Sequence, residues 1–436
     1  RSTLFPYTTL FRSWLTPADP RPPADPRGPR VGRMSTPAPR PRPLSRWQQD
    51  DHGRRSLSRT TIDRDAARRG EPGLLAALAA DRGTRLVLVD ARGRIALDVP
   101  AVHPDLPDDG LTPPAPADAP VLGPALPVDA GCAGAGAARA DAAPGGAPAS
   151  PGLPPLSAAD LDLTGLLTCY LGREAPAPGP NPGPGPDRRP AWIAVVVPPE
   201  DAPGAEPDDA EGAARPRADL AALLERHPLS ALRAVGSDLS ARDAGLAAPA
   251  VALAAWHARA AHCPRCGART RPVQAGWARR CTGCAALNFP RTDPAVIMSV
   301  TDDADRLLLV HGSRWDAGRY SVVAGFVEAG ECAEAAVVRE VAEETGLRVA
   351  RVEHVATQPW PFPRSLMLGY RARLADGERL PRPDGDEVTD AVMLSRAELA
   401  RAVAAGRIVL PGPTSIARML IEDWYGGPVG PRSDWT

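Results

Sequence analysis

The sequence predicts an α/β protein in three parts: an α+β N-terminal domain broken by Pro-rich inserts, a small four-cysteine ribbon, and a C-terminal α/β unit. Three observations carry this. Two Cys-x-x-Cys pairs stand close together between Cys263 and Cys284. From Pro294 to Trp424, apolar runs follow the order strand, strand, loop, helix, strand. Upstream, apolar runs alternate with stretches in which Pro, Ala, Gly and Asp leave no periodicity.

The 436 residues are enough for two or three domains. Their 51 basic and 52 acidic side chains give a net charge of −1, which excludes a globally basic nucleic-acid binder and a polyanionic tail. Every basic residue is Arg, which points to a GC-rich coding bias, so the 53 Pro and 40 Gly carry structural meaning only where they cluster. No apolar run reaches the length of a membrane helix; the best, Ala247 to Trp256, holds Pro249. No secretory leader is evident. Seven cysteines, four of them in two tight pairs, read as metal binding in a reducing compartment rather than a disulfide framework. The expectation is a soluble cytoplasmic protein.

Arg1 to Ser13 differ in composition from the rest, and the first methionine is Met34. Residues 1–33 are therefore a candidate non-native segment, and 1–55 as a whole read as a disordered tail. The N-terminal domain is placed at 56–256. Within it, Leu74 to Ala80 read as helix, Arg85 to Asp90 and Arg94 to Val99 as strands joined by a turn at Arg92-Gly93, and Ala191 to Val197 as a buried strand. Order returns from Leu161 to Leu171, and Ala218 to Arg226 and Asp243 to Ala261 read as helices. Pro100 to Pro155, Ala175 to Asp187 and Pro198 to Pro216 read as loose inserts. Residues 427–436 form a tail.

The ribbon occupies 257–292. Cys263 and Cys266 form one knuckle, Cys281 and Cys284 the other. Each offers two thiolates from a tight turn, with Gly267 and Gly283 available for positive φ. Four thiolates close a tetrahedral Zn²⁺ site with no open position, so one structural zinc per chain is expected and catalytic zinc is not. Arg265, Arg269, Arg271, Arg279 and Arg280 read as a solvated basic face. Cys132, Cys169 and Cys332 read as plain small residues.

In the C-terminal unit, 293–426, Ala295 to Val300 and Arg306 to Val310 read as strands around an Asp-rich turn. Cys332 to Thr345 hold good helix formers, and Gly346 stands where a helix-ending C′ residue belongs. Val337, Val338 and Val341 supply the apolar face. Glu340, Glu343 and Glu344 share another face, where like charges repel. A divalent cation with a taste for oxygen, Mg²⁺ or Mn²⁺, would relieve that repulsion. Arg339 is placed to pair with Glu331 at the helix start.

The string from Gly325 to Leu347 matches Gly-x5-Glu-x7-Arg-Glu-U-x-Glu-Glu-x-Gly-U, with U aliphatic, at every specified position. The chain thus resembles the Nudix hydrolase superfamily, which cleaves a nucleoside diphosphate linked to another moiety. Downstream, Gln358-Pro359-Trp360-Pro361-Phe362-Pro363-Arg364-Ser365 resembles the QPWPFPxS signature of the NADH pyrophosphatase branch, which is also associated with removal of NAD caps from RNA. A four-cysteine ribbon and a divergent N-terminal domain are similar to the same branch.

The resemblance implies an α/β/α sandwich and metal-dependent cleavage of NADH or NAD⁺ to nicotinamide mononucleotide and AMP. It implies cation ligation by Glu340, Glu343, Glu344, Glu387 and the carbonyl of Ala324, with Glu344 as base and Arg339 orienting the carboxylates. Substrate contacts are implied for Phe289, Phe326, Ala417, Arg233 and the signature residues 358–365. Phe289 stands where relatives often carry Tyr, and Gly276 where a substrate-contacting Glu is expected. A homodimer is implied by the resemblance alone. NAD-capped RNA is the second substrate reading, and a non-catalytic ribbon-plus-Nudix ligand sensor the third; the intact carboxylates argue against the last.

Overall fold

The computed structural model describes residues 57–98, 151–175, 189–198 and 217–430, all within one unit spanning Arg46–Thr436. The expected tail 1–55, nearly all of the three expected inserts, residue Cys132 and the end of the expected C-terminal tail lie outside the described residues.

The N-terminal part forms β1 (Ile62–Asp63), α1 (Leu74–Ala80), β2 (Arg85–Val89), β3 (Arg94–Ala96), β4 (Leu167–Glu174), β5 (Ala191–Val196), α2 (Ala218–Arg226), β6 (Leu229–Ala231), α3 (Leu232–Val235) and α4 (Ala241–Arg259). The six strands make one sheet in the order β1-β4-β5-β2-β3-β6, with β2 and β5 parallel. Strand side chains alternate between faces. Leu86 and Leu88 of β2 join a cluster with α1 and α2, while Val87 and Val89 join a second cluster with α4. Both faces are covered, which is why these strands read as continuous apolar runs.

Helix α4 is capped by Ser240, whose hydroxyl accepts from the Asp243 amide at 3.1 Å. It continues through Pro249, so that proline does not interrupt the Ala247 to Trp256 run as its sequence suggests. The order expected from Leu161 becomes strand only at Leu167, and β3 ends three residues short of Val99.

The ribbon is a three-stranded sheet of β7 (Thr270–Val273), β8 (Ala278–Cys281) and β9 (Leu287–Asn288). The C-terminal unit adds β10 (Asp293–Thr301), β11 (Leu307–Gly312), β12 (Val323–Phe326), α5 (Ala333–Thr345), β13 (Val349–Trp360), β14 (Ser365–Leu374), β15 (Val388–Leu394), α6 (Arg396–Ala404) and α7 (Ile416–Tyr425). Its sheet runs β13-β14-β10-β11-β15, with β12 antiparallel to β10 and β14 parallel to it.

Strand β10 shows how the sandwich is made. Val296, Met298 and Val300 pack with Ala336, Val337 and Val341 of α5. The alternate residues Ala295 and Ile297 pack on the opposite face with Leu420 and Ile421 of α7. That second cluster also contains Val251 and Leu253 of α4 and Val87 and Val89 of β2. One apolar core therefore runs from the N-terminal sheet into the C-terminal sandwich.

Candidate functional site

Helix α5, within the Gly325–Leu347 string, is set by local bonds. Arg339 grips Glu331 with two parallel hydrogen bonds, Nε to Oε1 and Nη2 to Oε2, each 2.9 Å. The same Nη2 donates to the Phe326 carbonyl at 2.9 Å, and Nη1 donates to Glu340 Oε1 and Glu343 Oε2, both at 2.9 Å. Arg339 thus ties the end of β12, the loop and the helix together. Gly325 has no room for a side chain: a Cβ there would fall on the Glu340 carboxyl carbon. Gly346 ends α5 with φ of 67°, as a C′ glycine should.

Glu340 and Glu344 are buried, whereas the Glu343 side chain is 59% exposed. Burial, and then the charges of Glu340, Glu387, Asp384 and Glu343, push the Glu344 carboxyl up to about 8. Burial raises Glu340 as well, against the pull of Arg339. Arg339 in turn holds Glu331 down to about 2. Asp384 closes the ring of acids: its amide donates to the Glu344 carbonyl at 3.3 Å.

These groups line one side of a cavity of about 950 Å³. Of the expected residues, Ala324, Phe326, Arg339, Glu340, Glu343, Glu344, Glu387, Trp360, Ser365, Ala417 and Arg233 all line it. Arg233 and Ala234 come from α3, so the N-terminal domain supplies part of the wall. Trp360 is 8% exposed, and its indole N–H finds no acceptor among the described residues.

The rest of the signature does not line the cavity. Gln358, 2% exposed, donates to the Thr414 carbonyl at 2.9 Å and accepts from the Ile416 amide at 2.8 Å, fixing the start of α7. Phe362 stacks edge-on against Trp360, with ring centroids 5.0 Å apart, and sits over Gly93 of the N-terminal domain. Arg364 bonds Asp293 at 2.7 Å. Pro359, Pro361 and Pro363 lie outside the lining. Phe289 is 44% exposed, also outside it. Gly276, which stands where a substrate-contacting Glu is expected, is buried against Cys169 of β4.

Among the lining residues that were not anticipated are Asp384, Asp386, Arg314 and Trp315. The first two share a string with Glu387 and were legible there. Nothing in the spacing marks the other two.

The ribbon brings the Sγ atoms of Cys263, Cys266, Cys281 and Cys284 all within 4.8 Å of one another. Cys266 and Cys281 are 3.4 Å apart, Cys263 and Cys284 3.8 Å. Tetrahedral Zn–S bonds of about 2.3 Å place sulfurs about 3.8 Å apart, so the donors fit Zn²⁺. Amides of Cys284 and Gly283, each 3.3 Å from Cys281 Sγ, help hold that thiol down to about 6. Gly267 takes φ of 74°, but in the second knuckle Ala285 is left-handed, not Gly283. Gly283 is needed for space, since a Cβ there would lie 2.9 Å from Ala268. Arg279 is not part of a solvated face: it turns inward to His257 Nδ1 at 2.9 Å and to the Thr270 carbonyl at 2.8 Å.

Fold and site together define a Nudix domain joined to a zinc ribbon. Residues 291–411 match the NUDIX domain family, and residues 258–287 match the NADH pyrophosphatase zinc ribbon domain. The chain thus carries both domains, and it spans less than two thirds of the length of the curated relatives it matches. It is 42% identical over 201 residues to an NAD-capped RNA hydrolase NudC of Mycobacterium bovis, covering 44% of this chain and 64% of that protein. It is 38% identical over 198 residues to the human NAD-capped RNA hydrolase NUDT12, covering 43% and 42%. A Nudix hydrolase structure from Nitrosomonas europaea covers 39% of this chain and 95% of its own, at TM-score 0.31 and 22% identity. No helix among the described residues is long and apolar enough to cross a membrane.

Proposed function

We propose that the chain hydrolyses the pyrophosphate bond of NADH or NAD⁺, giving nicotinamide mononucleotide, reduced or oxidised, and AMP, with Mg²⁺ or Mn²⁺ as cofactor. One observation carries the reading. Two buried glutamates line, together with Glu387 and Asp384, the wall of a cavity at the large end of small-molecule sites. Acids held together against their own repulsion, with Glu344 pushed toward its neutral form, fit a divalent cation with hard oxygen ligands. Glu340, Glu343, Glu344, Glu387 and the Ala324 carbonyl would hold it. When bound, such a cation neutralises phosphate charge and lowers the pKa of an attacking water.

The protein's own groups do the rest. Arg339 orients Glu340 and Glu343 through Nη1. Glu344 accepts the proton of the attacking water as the new O–P bond forms and the bridging P–O bond breaks. Arg233 brings positive charge to the cavity from the N-terminal domain. Phe326 and Trp360 give apolar walls to the bases.

A second reading is favoured by the relatives' names: the same bond cleaved at the NAD-capped 5′ end of an RNA. Exposed Arg265, Arg269 and Arg271 on the ribbon suit an RNA backbone. The test is to incubate the protein with NADH and Mg²⁺ or Mn²⁺, with and without chelator, and separate the products. Metal-dependent AMP and reduced mononucleotide support the hydrolase. No turnover by folded, zinc-loaded protein refutes it. Parallel assays on NAD-capped RNA rank the substrates. The homodimer, proposed on the family resemblance, is tested by sedimentation velocity.

A further inference from the structure

The cavity rim can be followed by its hydrogen bonds. Phe326 stands at one end, its carbonyl held by Arg339. Arg339 leads to Glu340 and Glu343, and the Asp384 amide joins the Glu344 carbonyl. Past Glu387, the Glu387 carbonyl accepts from the Ser313 amide at 2.9 Å. Ser313 opens the loop between β11 and the strand-like residues before β12, and Trp315 follows at once. Along this chain of bonds an aromatic residue comes before the acids and another after them, which are the parts a dinucleotide presents: base, diphosphate, base.

The Trp315 ring is fixed in place before any ligand arrives. Its amide donates to the Gly312 carbonyl at 3.0 Å. The indole lies on Gly312, where a Cβ would be 3.0 Å from Cε2, so a side chain there would push the ring away by a few tenths of an ångström. His311 meets the ring edge-on, with centroids 6.3 Å apart, and Tyr320 backs His311 at 5.6 Å. The far side of the loop is tied down too: the Val409 amide donates to the Gly318 carbonyl at 2.8 Å, and the Tyr320 amide to the Val409 carbonyl at 3.1 Å. A half-buried, pre-oriented indole lining a cavity is a surface on which a base can stack at little ordering cost.

We propose that Trp315 is the stacking platform for the adenine half of the substrate and so sets its selectivity for adenine-bearing dinucleotides. The assignment rests on the dinucleotide reading above. Phe326 and Trp315 both line the cavity and stand on either side of the acids along this chain of bonds, so with Phe326 implied as one substrate contact, Trp315 is the surface left for the second base. Arg314, exposed beside Trp315 and lining the same cavity, places positive charge next to that base's sugar-phosphate.

The test is calorimetric titration of the full chain, in Mg²⁺, with AMP and with nicotinamide mononucleotide separately. Trp315→Ala should weaken AMP binding roughly tenfold and leave the mononucleotide within about twofold. Trp315→Phe should restore most of the AMP affinity, which a merely structural role would not require. Gly312→Ala keeps the tryptophan but displaces its ring, and should weaken AMP selectively. AMP affinity unchanged in Trp315→Ala and Gly312→Ala, equal loss for both ligands, or wild-type protein that binds the mononucleotide but not AMP would each overturn the assignment. NADH turnover, measured on the same wild-type sample, reports on the hydrolase reading independently.

Discussion

Replacing Glu344 by glutamine should remove activity and add stability. In the folded protein without divalent cation, this carboxyl is pushed from 4.5 up to about 8 by burial and by its acidic neighbours. The folded state therefore binds the proton more tightly than the unfolded chain. The stabilisation from that proton is complete below about pH 4.5, declines as pH rises, and is gone above about pH 8. Each unit between those limits costs about 1.4 kcal/mol, so at pH 7.5 the wild type carries a penalty of about 4 kcal/mol. Glutamine has the same shape and no charge to bury. In buffer freed of Mg²⁺ and Mn²⁺ but with zinc retained, the variant should melt several degrees above wild type at pH 7.5 and equal it near pH 4.5. Adding Mg²⁺ should raise the wild-type melting temperature and close the gap. NADH turnover should fall by about two orders of magnitude or more. Scanning calorimetry across pH, with a turnover assay, reads both. A variant no more stable than wild type at pH 7.5 would refute the claim that the site stores charge repulsion for a cation to relieve.

Other consequences follow from the same geometry. Gly325→Ala drives a methyl into the Glu340 carboxyl and should cost more than tenfold in kcat, read by NADH turnover, although the residue has no functional group. Arg339→Lys loses the paired grip on Glu331 and should lower kcat about tenfold or more with little change in KM. Gln358→Leu leaves the buried Thr414 carbonyl and Ile416 amide unbonded and should destabilise by about 2 kcal/mol or more, seen as a lower unfolding midpoint in urea. Cys281→Ser should abolish stoichiometric zinc, measured by a colorimetric chelator on denatured protein.

What the sequence made legible was local or carried by fixed spacing. Arg85 to Asp90 and Cys332 to Thr345 signalled their elements within a residue or so of the observed ends, because period and caps are written in neighbouring residues. The Arg339–Glu331 pairing was legible because both lie on one loop and helix. The cysteine quartet was legible from spacing alone. Gln358 was not legible as a clamp on α7, since its partners are 56 and 58 residues away. The packing of Gly276 was not legible for the same reason: its neighbour Cys169 is 107 residues distant. Trp315 followed no motif and gained meaning only when the loop met Glu387. Arg279 looked like one more surface arginine until α4 brought His257 to it.

The shared core between the N-terminal sheet and the sandwich bears on how such proteins can be recombined. Phe362 rests on Gly93, the Ser237 amide donates to Thr414 Oγ1 at 3.1 Å, and the Ser58 hydroxyl donates to the Thr357 carbonyl at 3.0 Å. Arg233 and Ala234 reach the cavity from the same side. A chimera that took its front half from one relative and its back half from another would inherit two half-pockets cut for different partners. Exchange at the ribbon boundary should therefore cost both folding and substrate affinity together, and the two halves are expected to drift as one unit of descent.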